Sequence, residues 1–172
     1  MRSGELFTGK GRTRQAPLYS SIAIATTTAF STIRRFFQDV RGAASVGPET
    51  TNMQRAGQVP GGCNFLAQAL RIVVSGAAAD IRSLNENITF QLKIGGILWA
   101  DAPAEYFSAG MGVNTAAANG VPDFRSAGIW DLDPARIDDS INFTLEAVGT
   151  TWTTTAAFFM RAYLEGRIEE PQ

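Results

Sequence analysis

Residues 141–166, INFTLEAVGTTWTTTAAFFMRAYLEG, decide the fold class. Ile141, Phe143, Leu145 and Ala147 alternate with Asn142, Thr144 and Glu146, the period-two pattern of a strand with one dry and one wet face. After the turn-like Gly149, Thr150 and Thr151, residues 152–164 are dominated by Thr, Phe, Trp and Tyr, types that suit a pleated, half-buried surface. Two strands joined by a polar turn are expected here, with Phe143 and Leu145 inside and Glu146 in water. These residues point to a β-sandwich or barrel and carry no motif for chemistry.

Working outward, Asn64–Ser75 places Leu66, Leu70, Ile72 and Val74 on one parity and Ala67, Ala69, Arg71 and Val73 on the other. That is a strand covered for much of its length on both sides. Residues 88–100 give the strongest local signal. Ile88, Phe90, Leu92 and Ile94 alternate with Thr89, Gln91 and Lys93, and Gly95-Gly96 supplies the positive φ of a tight hairpin turn before Ile97 returns. Residues 18–33 read as a first strand and 34–40 as a second, with Phe36 or Phe37 turned inward. Residues 42–62 form a long Gly/Pro/Thr loop of the kind that is functional or held against a neighbour.

The rest is lighter. One helical turn is expected within 76–86, and a short helix over 101–110, capped by Asp101 or Ala102 with Pro103 in its first turn. Residues 111–119 read as a loop, 123–129 as a short strand and 131–140 as an acidic loop. About eight strands without long intervening helices make the chain all-β, a single jelly-roll antiparallel β-sandwich rather than a parallel α/β sheet. Residues 1–17, broken by Gly4, Gly9, Gly11 and Pro17, read as a flexible basic N-terminal arm. Residues 18–172 form the single β-sandwich domain.

At 172 residues, 45% of them hydrophobic and 18% charged, the chain can bury a continuous core. Net charge is −1, yet residues 1–41 carry an excess of five positive charges and residues 42–172 an excess of six negative ones. Arg2, Lys10, Arg12 and Arg14 concentrate the positive end, a front suited to phosphates, lipid headgroups or an acidic neighbour and equally to plain solvation. Cys63 is the only cysteine, so packing and not a disulfide within the chain must hold the fold. The start lacks the apolar run of a signal peptide, and a cytoplasmic site of synthesis is expected.

No histidine is present. The commonest general base, the Ser-His and Cys-His pairs and histidine-bound metals are therefore excluded. No phosphate-binding glycine loop occurs. Asp131, Asp133, Asp138 and Asp139 could offer oxygens to a cation, but Pro134 and Arg136 interrupt them and a solvated loop is the plainer alternative. Glu105 and Glu146 are formal candidates for the paired carboxylates of a glycosidase. Trp99, Trp130 and Trp152 suit either a sugar-stacking platform or the cap of a core or interface. No cofactor is expected.

Residues 51–60, Thr51-Asn52-Met53-Gln54-Arg55-Ala56-Gly57-Gln58-Val59-Pro60, followed by Phe65 and the strand at 70–74, resemble the loop and strand of small structural proteins from tailless bacteriophages. The length, the Gly/Thr-rich loops and the closing strands also resemble the small major capsid protein of the sphaerolipovirus-like viruses, icosahedral with an internal membrane. The likeness covers 52–166 and includes no catalytic signature. It implies a single jelly roll standing upright on a capsid, self-associating and joining a larger companion capsid protein over the membrane. It implies a virion location and no enzymatic activity, with the arm residues Arg2, Lys10, Arg12 and Arg14 as partner or membrane contacts. A carbohydrate- or ligand-binding β-sandwich module, of the spike or adhesin type, is the alternative.

Overall fold

The computed structural model describes residues 12–25, 29–30, 33–43, 46–108 and 129–170. In chain order the elements are β1 (Arg12–Gln15), β2 (Leu18–Ile24), β3 (Ala29–Phe30), β4 (Arg34–Phe36), β5 (Asn64–Ser75), α1 (Ala78–Asn87), β6 (Ile88–Ile94) and β7 (Ile97–Pro103). They continue with α2 (Ala104–Ser108), β8 (Ile129–Asp138), β9 (Phe143–Gly149), β10 (Trp152–Thr153) and β11 (Phe158–Glu170). One sheet runs β1-β11-β5-β8, with β2 beside β1 on the same flank of β11, and the other runs β4-β9-β6-β7. All pairings are antiparallel, and the two sheets share one apolar core, as an all-β sandwich requires.

The pairs nest. β2 lies with β11, β3 with β10, β4 with β9, β5 with β8 and β6 with β7. The chain is thus one long double ribbon whose segments alternate between the sheets, closed by the β11-β5 and β9-β6 ladders. This order corrects the expected pairing within 141–166, because β9 and β11 belong to different sheets. Residues 150–157 are a corner and not a tight turn. The buried carboxylate of Asp80 accepts the Thr155 and Ala156 backbone N–H groups at 2.9 and 3.0 Å and the Thr155 hydroxyl at 2.9 Å. Thr154 donates to the Ala25 carbonyl at 2.8 Å. Backbone groups that a hairpin ladder would have paired are satisfied here by a side chain 75 residues away.

Phe36, Phe65, Phe90, Phe143 and Leu145 are fully or almost fully buried between the sheets. Each contributes about 1.5–3 kcal/mol of hydrophobic stabilisation. Both Phe36 and Phe37 face the core, where strand alternation would allow only one. Phe37 manages this with φ at +64°, a left-handed conformation costing about 1–2 kcal/mol that burial of its ring, 5.3 Å from Phe143, offsets. The 88–103 hairpin forms as the sequence predicts, with Gly95 and Gly96 at φ +59° and +80°. α1 spans ten residues, more than the single turn expected. Asp101 and Ala102 belong to β7, and α2 starts only after Pro103.

Residues 131–138 are strand and not the expected acidic loop. Leu132, Ala135 and Ile137 face the core, while Pro134 sits on an edge strand where the register with β5 shifts, so its missing N–H breaks no ladder. The arm expected over 1–17 is likewise ordered at 12–15, where β1 pairs with residues 167–170 of β11. Residues 1–11, the whole of the loop expected at 111–119 and the strand expected at 123–129 except Ile129 lie outside the described residues.

The long loop is bound to its own domain. Tyr19 on β2 donates its N–H to Asn52 Oδ1 at 2.9 Å and accepts the Thr51 hydroxyl at 2.8 Å, and Asn52 donates to the Pro17 carbonyl at 2.7 Å. Further along, the Gly57 N–H bonds the Phe37 carbonyl at 2.7 Å and the Gly57 carbonyl accepts from Phe143 at 2.8 Å. Gly57 has φ +61°, and a Cβ there would stand 2.9 Å from the Phe143 carbonyl oxygen, so glycine is required. Met53 and Val59 are buried with it.

Candidate functional site

Polar side chains converge on the outer face of the β4-β9-β6-β7 sheet. Glu146 in β9 lies opposite Arg35 of β4 on one side and Gln91 of β6 on the other. Its face is the outward one, as alternation predicts, yet the residue is only 5% exposed, which corrects its expected solvation. Lys93 Nζ reaches Oε2 at 2.6 Å and Arg35 Nε reaches Oε1 at 2.9 Å, so two long side chains cover it. Lys93's hydrogen bond, opposed by burial and aided by Arg35, holds the carboxyl below its ordinary value. A carboxylate kept ionised with both oxygens occupied is poorly suited to serve as a general acid.

Beside it an open cavity of about 420 Å³ is lined by Arg35, Gln38, Gly57, Asn142, Thr144 and Glu146. Asn142 and Gln38 are exposed, and the Thr144 hydroxyl has no protein partner. The groove offers hydrogen-bond donors and a guanidinium, but no nucleophile paired with a base. Glu105 is exposed in the first turn of α2, whereas Glu146 is engaged with Lys93 and Arg35 on other elements.

The tryptophans stand apart. Trp130 stacks on Phe107 at 6.0 Å and touches Tyr106 at 5.1 Å, and Trp152 packs against the core from β10. Trp99 is the extra residue where the β6-β7 register shifts, and it is 37% exposed. A bulge re-aims a side chain, which explains its outward position. A shared stacking platform would need all three rings open to solvent, yet Trp130 and Trp152, on β8 and β10, are packed against the core.

Among the arm residues, Arg2 and Lys10 fall outside the described residues. Arg12 and Arg14 are exposed on β1, and Arg14 pairs with Glu170 at 2.7 Å, an exposed contact worth about 0–1 kcal/mol. The four aspartates are spread over separate tasks. Asp138 accepts the Ser140 N–H and hydroxyl, which lower its pKa, and Asp139 accepts the Gly62 N–H, while Asp131 and Asp133 are exposed along β8. Among the described residues no group of three His, Cys, Asp or Glu side chains is placed to hold a metal, and no helix is long and apolar enough to cross a membrane. Cys63 is buried, and burial pushes its thiol up, away from the reactive thiolate.

Sequence reasoning passed over the outer edge of β7. Ile97, Leu98 and Trp99 are 66%, 48% and 37% exposed, and among the described residues no strand pairs with that side. The signal was available: three successive large apolar residues in a strand cannot all face one core. Also missed was a ladder on the outer face of the other sheet, where Arg71 lies over Tyr163 and Arg161 over Tyr19 and Phe159, at 5.0 to 5.9 Å. No family model matches the sequence, and no curated protein is significantly similar to it.

Proposed function

We propose that this chain is a structural virion protein, a jelly-roll capsid subunit that self-associates and assembles with a companion capsid protein over a membrane. The observation that carries this is the nested strand order, β2-β11-β5-β8 facing β4-β9-β6-β7. A double ribbon rolled so that its pairs alternate between two facing sheets is what a jelly roll requires, an arrangement used by viral capsid proteins, lectins and cupins. The absence of histidine argues against a cupin metal centre. The packing of Trp130 and Trp152 against the core argues against a lectin platform built from all three tryptophans. An exposed apolar strand edge is what an assembling subunit needs and an isolated one avoids.

In this proposal the virion is the protein's location, other copies and the companion protein are its partners, and it performs no catalysis. Arg2, Lys10, Arg12 and Arg14 face the membrane or an acidic neighbour, with Arg14 shared between that role and Glu170. Purified virions from the source, analysed by mass spectrometry, should contain this chain as a major component; its absence from particles contradicts the proposal. Deleting residues 1–11, which stops short of β1, should leave thermal stability unchanged and weaken binding to anionic vesicles in flotation. Undiminished vesicle binding removes the arm from the membrane role.

A further inference from the structure

We infer that copies of this chain meet head to tail through the two outer edges of the β4-β9-β6-β7 sheet, β7 of one against β4 of the next. This deepens the assembly proposal above and rests on it for the expectation that copies associate. Four residues form one cross-strand row on the outer face, with Arg35 opposite Glu146, Glu146 opposite Gln91 and Gln91 opposite Asp101. At the β4 end, Arg35 gives Nε to Glu146, and its side chain remains 59% exposed. At the β7 end, Asp101 is exposed and receives only a 3.4 Å bond from Gln91. Lys93 neutralises Glu146 in between. The row therefore ends in unspent opposite charges, and a guanidinium fork accepts a carboxylate in two parallel hydrogen bonds.

Apolar surface follows the same division. Ile97, Leu98 and Trp99 are exposed on β7, and Ile33, 45% exposed, immediately precedes β4. Strand directions fit as well. Successive strands of this sheet are antiparallel. A copy rotated about an axis parallel to the strands therefore brings its β7 antiparallel to the neighbour's β4, with Asp101 able to stand level with Arg35. A two-fold pairing of β7 with itself fits less well, because Ile97–Pro103 contains no basic residue to meet Asp101. Head-to-tail contacts of this kind close into rings or run on as chains.

Leu98→Lys blocks one edge and Ile33→Lys the other, and both positions are exposed, so coincident thermal melts should show that each variant folds. In sedimentation velocity at low salt, wild-type protein should form species beyond the monomer. Each variant alone should associate at least about tenfold more weakly. Mixing the two variants should give a one-to-one dimer, because each copy keeps one intact edge. Asp101→Lys should weaken association. Variants that associate like wild type overturn this inference and leave assembly standing; a mixture that yields no dimer overturns the head-to-tail geometry. Wild-type protein that remains monomeric at every concentration overturns both proposals.

Discussion

The outer edges of β2 and β7 solve the same problem in opposite ways. Each is the last strand of its sheet, with a row of backbone groups facing away from the fold. At β2 the loop at 47–53 supplies partners: Asn52 and Thr51 bond the Tyr19 backbone, and Arg161 reaches the Glu49 carbonyl. At β7 no described strand pairs with the outer side, and Ile97, Leu98 and Trp99 stand in solvent. Proteins that remain alone guard their edges, and in the proposed assembly the edge sealed by the long loop stays within the domain while the apolar one is left for a second copy. The difference separates structural residues from associating ones. It also moves the long loop from the set of clamps for neighbours to the set of seals for its own domain.

Substitutions on the two sides should therefore act on different quantities. Largest should be Gly57→Ala, which forces a Cβ against the Phe143 carbonyl at a positive φ and should cost about 2–4 kcal/mol in urea unfolding. An unchanged midpoint would show that the close approach of the loop to Phe143 does not hold it to the domain. Next comes Asn52→Ala, which orphans the Tyr19 N–H and the Pro17 carbonyl and should cost about 1–2 kcal/mol by the same measurement. On the open side, Leu98→Lys should change stability by no more than about 0.5 kcal/mol while association falls. A large loss of stability there would make β7 a core strand and erase the contrast.

The smallest effect is a dependence on pH. The folded-state pKa of Glu146 lies below its ordinary value of 4.5, so its ion pairs contribute fully above that value. The contribution is lost as the pH falls through the lower, folded value. Wild-type protein should thus exceed Glu146→Gln in stability at neutral pH, and the gap should narrow in acid. A gap that stays constant between neutral and acid denaturant titrations would mean that the Lys93 and Arg35 contacts contribute nothing through charge.

Much of the fold was legible where one local signal sufficed. The period-two runs of β5 and β6 and the Gly95-Gly96 turn placed those strands nearly to the residue. The sequence was silent where a distant group decides. Residues 150–157 look like a turn, and only Asp80, brought in by α1, makes them a corner between sheets. Glu146 looks solvated because its cover comes from Arg35 and Lys93 on two other strands. Residues 131–138 look like a loop because Pro134 and three acidic residues hide the alternation of Leu132, Ala135 and Ile137. β1 looks like an arm because all four of its residues are exposed, and the C-terminal half of β11 alone defines it.

The most direct test of the two-edge account is hydrogen exchange measured at low and high protein concentration. Amides of 97–101 that point away from β6 should exchange quickly in dilute protein and slow as copies associate, whereas the Tyr19 amide, already bonded to Asn52, should be protected at both concentrations. Protection at β7 that is identical in dilute and concentrated protein, while the protein associates, would contradict the account.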